Sequence, residues 1–183
     1  ARPMNHLIQK LLLLVLPTVL MTTGCDLHLL PETYQGQGER AAIVTIEIGS
    51  LNAELLDPEV ESLEIQILDV LAHREASDEW LILNEAPKAL TITHDDNTTV
   101  ELSEVPLPVG EYDRIMLIVA QARVDGEGGW TQIELSTDDI EINDSVLIDG
   151  DGKLTLSFDM ENSLEGTYSE GLVMNPHVQV QAN

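Results

Sequence analysis

Cys25 is the side chain in this sequence whose surroundings point most clearly to a chemical reaction. An apolar run, Leu11–Met21, follows Lys10 and leads to the small residue Gly24 directly before the cysteine. The run is too short for a membrane-spanning helix, which needs roughly 20 residues. It has the length of the apolar region of a secretory signal, about 7–15 residues. This arrangement predicts cleavage before Cys25 and acylation of its thiol.

The cysteine count supports this interpretation. Cys25 is the only cysteine, so an intrachain disulfide is excluded, and a free thiol in an exported protein calls for an explanation. Acyl chains on Cys25 would provide that explanation and would anchor the protein stably to a bilayer. Thr22 stands three positions before the cysteine, where an aliphatic residue is usual. Two alternatives therefore stay open: an ordinary cleaved signal and an uncleaved anchor.

A second short motif has the residue types of a calcium loop. Asp149-Gly-Asp-Gly-Lys brings two carboxylates together, and calcium prefers carboxylate and carbonyl oxygens. Lys153 at the fifth position and Met160 at the twelfth depart from the EF-hand pattern, and Asp-Gly pairs are typical of hairpin turns. We therefore expect a hairpin turn, with Asp149 and Asp151 as weak Ca²⁺ candidates and no other cofactor.

The sequence offers little for catalysis. His73, His94 and His177 lie far apart in the chain, and no Gly-x-Ser-x-Gly elbow is present. No cluster of histidine and cysteine has the spacing of a transition-metal site. We expect no catalytic residues and no enzymatic activity.

The two tryptophans are the remaining candidates for ligand contact. Trp80 precedes Leu81-Ile-Leu, which predicts a position in the core. Trp130 follows the loop sequence Asp125-Gly-Glu-Gly-Gly, so an exposed platform for a sugar or another ligand is as well supported as a core position.

The charge of the chain limits its partners. The sequence contains 8 Lys and Arg against 33 Asp and Glu, a formal charge of −25. Residues 1–24 contain two of the cations, Arg2 and Lys10, and no acid, so their removal would leave −27. Such a charge opposes binding to nucleic acid. It favours a solvated acidic surface, cations and basic partners.

Changes in composition along the chain divide it into three segments. Residues 1–24 form the expected signal peptide, and residues 25–40 form a lipidated cysteine followed by a flexible tether, because they show no hydrophobic periodicity. Residues 41–183 have the size of one domain with its own core.

Period-two alternation dominates the third segment and predicts strands with one buried and one solvated face. Short strands separated by Asp-Pro, Pro and Asp-Gly turns predict an antiparallel β-sandwich of about 7–9 strands. The alternating apolar positions are Val44, Ile46 and Ile48; Ile133 and Leu135; Leu154, Leu156, Phe158 and Met160; and Val178, Val180 and Ala182. The stretch Leu51–Leu63 is consistent with either a helix or a long loop.

The run Ile115–Ala120 is continuously apolar. It predicts a central strand that is covered on both faces or that faces a partner. Gly110-Glu-Tyr112 precedes it and resembles the tyrosine corner of Greek-key sandwiches. We expect the Tyr112 ring in the core, with its hydroxyl donating to main chain within Leu102–Pro108.

These elements together resemble a bacterial and archaeal lipoprotein family, domain of unknown function 4382. The matching elements cover about residues 42–181 and are Leu63–Leu71, Trp80, Gly110–Tyr112, Arg114, Leu154–Asp159 and Pro176. The Gly-Leu-Lys-like segment of the family is not evident in residues 137–146. The resemblance implies an envelope lipoprotein with an immunoglobulin-like or transthyretin-like β-domain, and it implies no activity.

The sequence thus predicts a protein of the cell envelope, held to the lipid bilayer through Cys25, with its domain in the periplasm or at the cell surface. Its β-sandwich is expected to bind or scaffold an unidentified protein or glycan ligand. The alternative is a structural subunit of a surface assembly or pilus that is joined by β-strand addition.

Overall fold

The computed structural model describes residues 40–95 and 99–183 of this chain, so the predicted signal peptide and Cys25 lie outside the described residues. No helix within the described ranges is both long and apolar enough to cross a membrane.

Strands are the main secondary structure of the described part of the chain. In chain order they are β1 (Ala41–Leu51), β2 (Val60–Arg74), β3 (Glu79–Ile82), β4 (Lys88–Ile92), β5 (Thr99–Pro108), β6 (Gly110–Gly126), β7 (Thr131–Leu135), β8 (Asp139–Ile142), β9 (Val146–Ile148), β10 (Gly152–Asp159), β11 (Leu164–Thr167), β12 (Gly171–Met174) and β13 (Val178–Ala182). A 3₁₀ turn, Ala53–Leu55, and the short helix α1, Met160–Ser163, complete the described structure. Between Leu51 and Val60 the chain is therefore mostly loop.

The strands form two sheets. A four-stranded sheet has the order β13-β10-β1-β5, and a nine-stranded sheet has the order β11-β12-β7-β6-β2-β3. In the nine-stranded sheet β4 also pairs with β2, and β8 and β9 also pair with β6. The chain is an all-β sandwich, as the alternation predicts.

The core lies between the two sheets and is built from the alternating apolar residues. Every second residue of β1 and β10 is buried, and Ile46, Ile48, Leu156 and Phe158 are completely buried. In β13 the predicted apolar face is only partly covered, because Val178 and Val180 are half-buried and Ala182 is exposed.

Two features of the predicted sandwich are wrong. The described residues form thirteen strands rather than seven to nine, because β2 and β6, of 15 and 17 residues, each pair with several short strands along one edge. The sheets are also mixed rather than antiparallel, since β1 pairs with β10 and β12 with β7 in parallel. Alternation reports which face of a strand is buried, but it carries no information about the direction of the neighbouring strand.

The predicted hairpin at Asp149–Gly152 is also wrong. This segment joins β9, which pairs in the nine-stranded sheet, to β10, which pairs in the four-stranded sheet. The turn therefore carries the chain from one sheet to the other. Asp-Gly pairs supply the backbone freedom for a tight turn but do not determine whether the flanking strands pair.

The run Ile115–Ala120 lies in the middle of β6, which pairs with β2 on one edge and with β7, β8 and β9 on the other. It is therefore central, as predicted, but only one of its faces is buried. Ile115, Leu117 and Val119 are in the core, whereas Met116 and Ile118 are half-buried on the opposite side.

The prediction for Tyr112 is confirmed. The residue is 1% exposed, and its hydroxyl donates a hydrogen bond to the Pro108 carbonyl oxygen at 2.7 Å. This bond fixes the corner between β5 and β6.

Asp159 closes the end of β10 and begins α1. Its carboxylate accepts hydrogen bonds from the side-chain amides of Asn162 at 2.8 Å and Asn52 at 2.9 Å, and from the Glu161 backbone N–H at 3.2 Å. These bonds, that of Asn162 first, lower the pKa of Asp159 from its ordinary value. A carboxylate satisfied in this way acts as a helix cap and a structural anchor.

Candidate functional site

The outer face of the nine-stranded sheet, the surface turned away from the four-stranded sheet, carries both tryptophans. Each is stacked against an arginine of β6: Trp80 against Arg114 and Trp130 against Arg123. These are two of only eight Lys and Arg in the whole sequence. A bulge at Ala120 shifts the alternation of β6 by one residue, so that both arginines lie on the same side of the sheet.

Trp130 is the more exposed of the two tryptophans, at 45%. It lies between the β6–β7 turn and the first residue of β7. The Arg123 guanidinium carbon is 4.5 Å from the centroid of its ring, and the Arg123 Nε donates to Glu64 Oε1 at 2.8 Å. An exposed cation–π contact of this kind contributes about 0.5–1 kcal/mol. Glu64 positions the arginine, and the arginine orients the indole.

Side-chain amides surround this arrangement. Gln132 of β7 pairs with Arg123, and Arg123 pairs with Glu64 of β2. In the next row of the same face Gln121 donates to Gln66 at 3.0 Å. We call Trp130, Arg123, Glu64, Gln66, Gln121 and Gln132 together the Trp130 patch. It combines one exposed aromatic ring with polar groups that both donate and accept hydrogen bonds.

A different cluster surrounds His73 at the other end of this face. The ring Nδ1 is 2.5 Å from Asp113 Oδ1, and Nε2 is 3.0 Å from Asp78 Oδ1. A β-bulge brings Asp113 there, because Arg74 pairs with Tyr112 whereas His73 pairs with Arg114, so that Asp113 is the extra residue.

Trp80 covers this histidine. Its ring centroid is 5.1 Å from that of His73, and the Arg114 guanidinium carbon is 5.2 Å from the Trp80 centroid. The His73 side chain is only 5% exposed. With both ring nitrogens engaged and an indole over it, His73 contributes to the structure of this end of the sheet and offers no open position to a substrate.

The predicted core position of Trp80 is therefore wrong, since the residue is 36% exposed. Trp80 pairs with His73 on the outer face of β2, and the alternation in this segment places Leu81 and Leu83 inward instead. The apolar run after Trp80 thus correctly predicts inward-facing residues in this segment, but these are Leu81 and Leu83 rather than Trp80.

The environment of Asp113 favours its ionised form. The hydrogen bond with the His73 ring is the largest effect that lowers the pKa of Asp113 below its ordinary value of 3.8, although burial acts in the opposite direction. The charges of His73 and Arg114 also lower it. Since the pKa is lower in the folded chain than in the unfolded chain, Asp113 stabilises the fold above pH 3.8, and this stabilisation is lost as the pH falls through the folded-state pKa.

We therefore expect Asp113→Asn to melt at a lower temperature than the parent at pH 7. The difference should shrink as the pH falls below about 4 and through the lower folded-state pKa of Asp113, where the parent carboxylate also becomes protonated. Melting curves from pH 7 to pH 2 measure this difference. Asp144→Asn, which changes an exposed carboxylate, is the matched control and should follow the parent throughout. An Asp113→Asn deficit that is the same at pH 2 and pH 7 would contradict the assignment.

The calcium candidates lie at the crossing between the sheets. Asp151 Oδ1 accepts a hydrogen bond from the Ile43 backbone N–H at 2.8 Å, which holds β1 against this segment. Asp149 and Asp151 line a cavity of about 260 Å³ together with Lys153. Among residues 40–95 and 99–183 no three His, Cys, Asp or Glu are grouped so as to hold a metal ion. Calcium binding by Asp149 and Asp151 stays a prediction.

Comparisons with known proteins identify a family but no activity. No curated protein matches this sequence. Two pneumolysin structures are similar over 79% of this chain but only 24% of theirs: a crystal structure of the wild type (15% identity, TM-score 0.21) and a structure at 1.98 Å resolution (16% identity, TM-score 0.20). The chain spans about a quarter of the length of pneumolysin. TM-scores this low do not establish a shared fold.

Residues 48–176 match the family described as Domain of unknown function (DUF4382). The matched region runs from β1 to the residues before β13, and thus includes both tryptophans, the His73 cluster and the tyrosine corner. The chain belongs to this family, domain of unknown function 4382.

Proposed function

We propose that this protein is a lipoprotein of the cell envelope whose β-sandwich acts as a non-enzymatic binding module. The support for the anchor is the sequence around Cys25: a short apolar run after Lys10, the small residue Gly24 and a single cysteine in the whole chain. β1 begins at Ala41, about 16 residues after Cys25. A tether of that length would hold the domain close to the membrane, in the periplasm or at the cell surface.

The observation that carries the binding role is the exposure of Trp130 within an ordered set of partners. The Trp130 side chain is 45% exposed, so its indole is accessible to a ligand. Arg123 and Glu64 hold this ring in place. A preoriented aromatic ring loses little conformational entropy on binding, which is why such residues are frequent binding anchors.

The alternative function, a structural subunit joined by β-strand addition, finds its best support in β13. This strand forms one edge of the four-stranded sheet and contains no charge and no proline. The other terminal strands are less suited to an added strand. β5 contains Pro106 and Pro108, and β3 and β11 have only four residues each. The Trp130 patch has no role in this alternative, and for that reason we prefer the binding module.

A binding measurement with the full chain in detergent distinguishes the two functions. We expect an array of immobilised glycans and peptides to retain the protein, and Trp130→Ala to weaken retention about tenfold or more, as for an aromatic anchor. Leu147→Ala is the matched control, because Leu147 is 64% exposed on β9, outside the Trp130 patch. Retention that is equal for Trp130→Ala and the parent, or no retention at all, would overturn the proposal.

A further inference from the structure

The Trp130 patch also has features that select a class of ligand, provided that the proposed binding function is correct. We propose that it binds a neutral glycan, with a sugar ring stacked on the Trp130 indole and its hydroxyls bonded to the surrounding amides and the Arg123–Glu64 pair.

The first argument is the charge of the patch. Arg123 and Glu64 form an ion pair with Nε and Oε1 2.8 Å apart, so the two charges compensate each other. The remaining polar members, Gln66, Gln121 and Gln132, are neutral amides. An anionic ligand would find no unpaired cation there and would also be repelled by a chain of formal charge −25.

The second argument is hydrogen-bonding capacity. A carboxamide has two donor hydrogens and an oxygen that accepts twice. Gln66 and Gln121 share one bond of 3.0 Å, which leaves donors and acceptors on both side chains. Glu64 and Arg123 add further acceptors and donors. Closely spaced donors and acceptors without net charge complement the hydroxyl groups of a sugar, each of which both donates and accepts.

The third argument is the geometry of the surface. The register places Gln132, Arg123 and Glu64 side by side on three adjacent strands, and Gln121 and Gln66 two residues further along β6 and β2. Adjacent strands are about 4.8 Å apart and two residues span about 7 Å. The patch is therefore a polar surface about 10 Å wide next to an exposed indole, and Glu134 of β7 borders it two residues beyond Gln132. These dimensions suit one or two sugar rings.

The test uses the full chain in detergent and a defined set of probes: cellohexaose, xylohexaose, maltohexaose, chitohexaose and, as the anionic counterpart, hexagalacturonate. Because the chain has two tryptophans, Trp80→Phe leaves Trp130 as the only indole, and its fluorescence reports directly on the patch. We expect at least one neutral hexasaccharide to shift this emission and hexagalacturonate to leave it unchanged.

Calorimetry with the neutral sugar that binds then tests the individual residues. Trp130→Ala should weaken the affinity about tenfold or more. Gln66→Ala combined with Gln121→Ala should weaken it about threefold to tenfold, the loss expected for one or two hydrogen bonds. Gln181→Ala removes an exposed amide of β13, outside the patch, and should leave the affinity unchanged.

The failure of this inference is distinguishable from the failure of the proposed function. If no neutral hexasaccharide shifts the Trp130 emission while array retention of a peptide or of an anionic glycan still depends on Trp130, the ligand class is wrong and the binding module stands. If retention does not depend on Trp130 in any experiment, both are wrong.

Discussion

Replacing Cys25 with serine should move the protein completely from the membrane fraction to the soluble fraction. Serine has no thiol for the acyl chains, and removal of those chains eliminates about 0.8 kcal/mol of membrane affinity for each buried methylene group. The parent, by contrast, should show an intact mass that begins at Cys25 with acyl groups added. Membrane fractionation followed by mass spectrometry measures both quantities in one experiment.

Thr22→Leu is the matched control for this prediction. It places an aliphatic residue three positions before Cys25, where signal processing normally finds one, and should leave lipidation intact or make it more complete. A parent protein with an unmodified N-terminus at another residue would contradict the lipid anchor. So would a Cys25→Ser variant that stays in the membrane fraction after washing with salt.

Replacing Phe158 with alanine should be the most destabilising single change in the sandwich core. Phe158 is the only phenylalanine of the sequence and is completely buried in β10. Removing a buried phenylalanine ring costs about 3–5 kcal/mol, because apolar contacts are lost and a cavity is left. Urea denaturation should show this loss in the free energy of unfolding.

Thr155→Ala is the control. Thr155 is a half-buried residue of the same strand, on the face of β10 that points away from the core. Its effect should stay within about 0.5 kcal/mol, as for most surface substitutions. If Phe158→Ala unfolded at the same urea concentration as Thr155→Ala, the assignment of the core between the two sheets would be wrong.

The sequence predicts burial better than it predicts pairing. The alternation in β1 and β10 identifies Ile46, Ile48, Leu156 and Phe158 as core residues, and the structure confirms this. Alternation depends only on the contrast between neighbouring side chains. The parallel pairing of β1 with β10 depends on the path that the chain takes through the nine-stranded sheet between these two strands. The residues of β1 and β10 do not determine that path.

The candidate site likewise depends on strand pairing, which the sequence does not predict. The glycine-rich turn before Trp130 supports an exposed and a core position equally, and the structure shows that the residue is 45% exposed. Its contact with Arg123, and the pairing of Arg123 with Glu64, depend on the register between β6 and β2, which includes several bulges. The bulge at Asp113 likewise has no local signature, and it joins His73 to an aspartate 40 residues away. A surface assembled across strands therefore becomes visible only once the register is known.

The measurement that tests the central claim most directly is photo-crosslinking in intact cells. The claim is that the protein recognises its ligand at Trp130, and p-benzoyl-phenylalanine in place of Trp130 inserts into C–H bonds of whatever molecule lies against that position. The same residue in place of Leu147 is the control, because Leu147 is even more exposed but lies on β9. We predict a strong higher-mass adduct from position 130 and little or none from position 147. Equal adducts from both positions, or none from position 130, would contradict the claim.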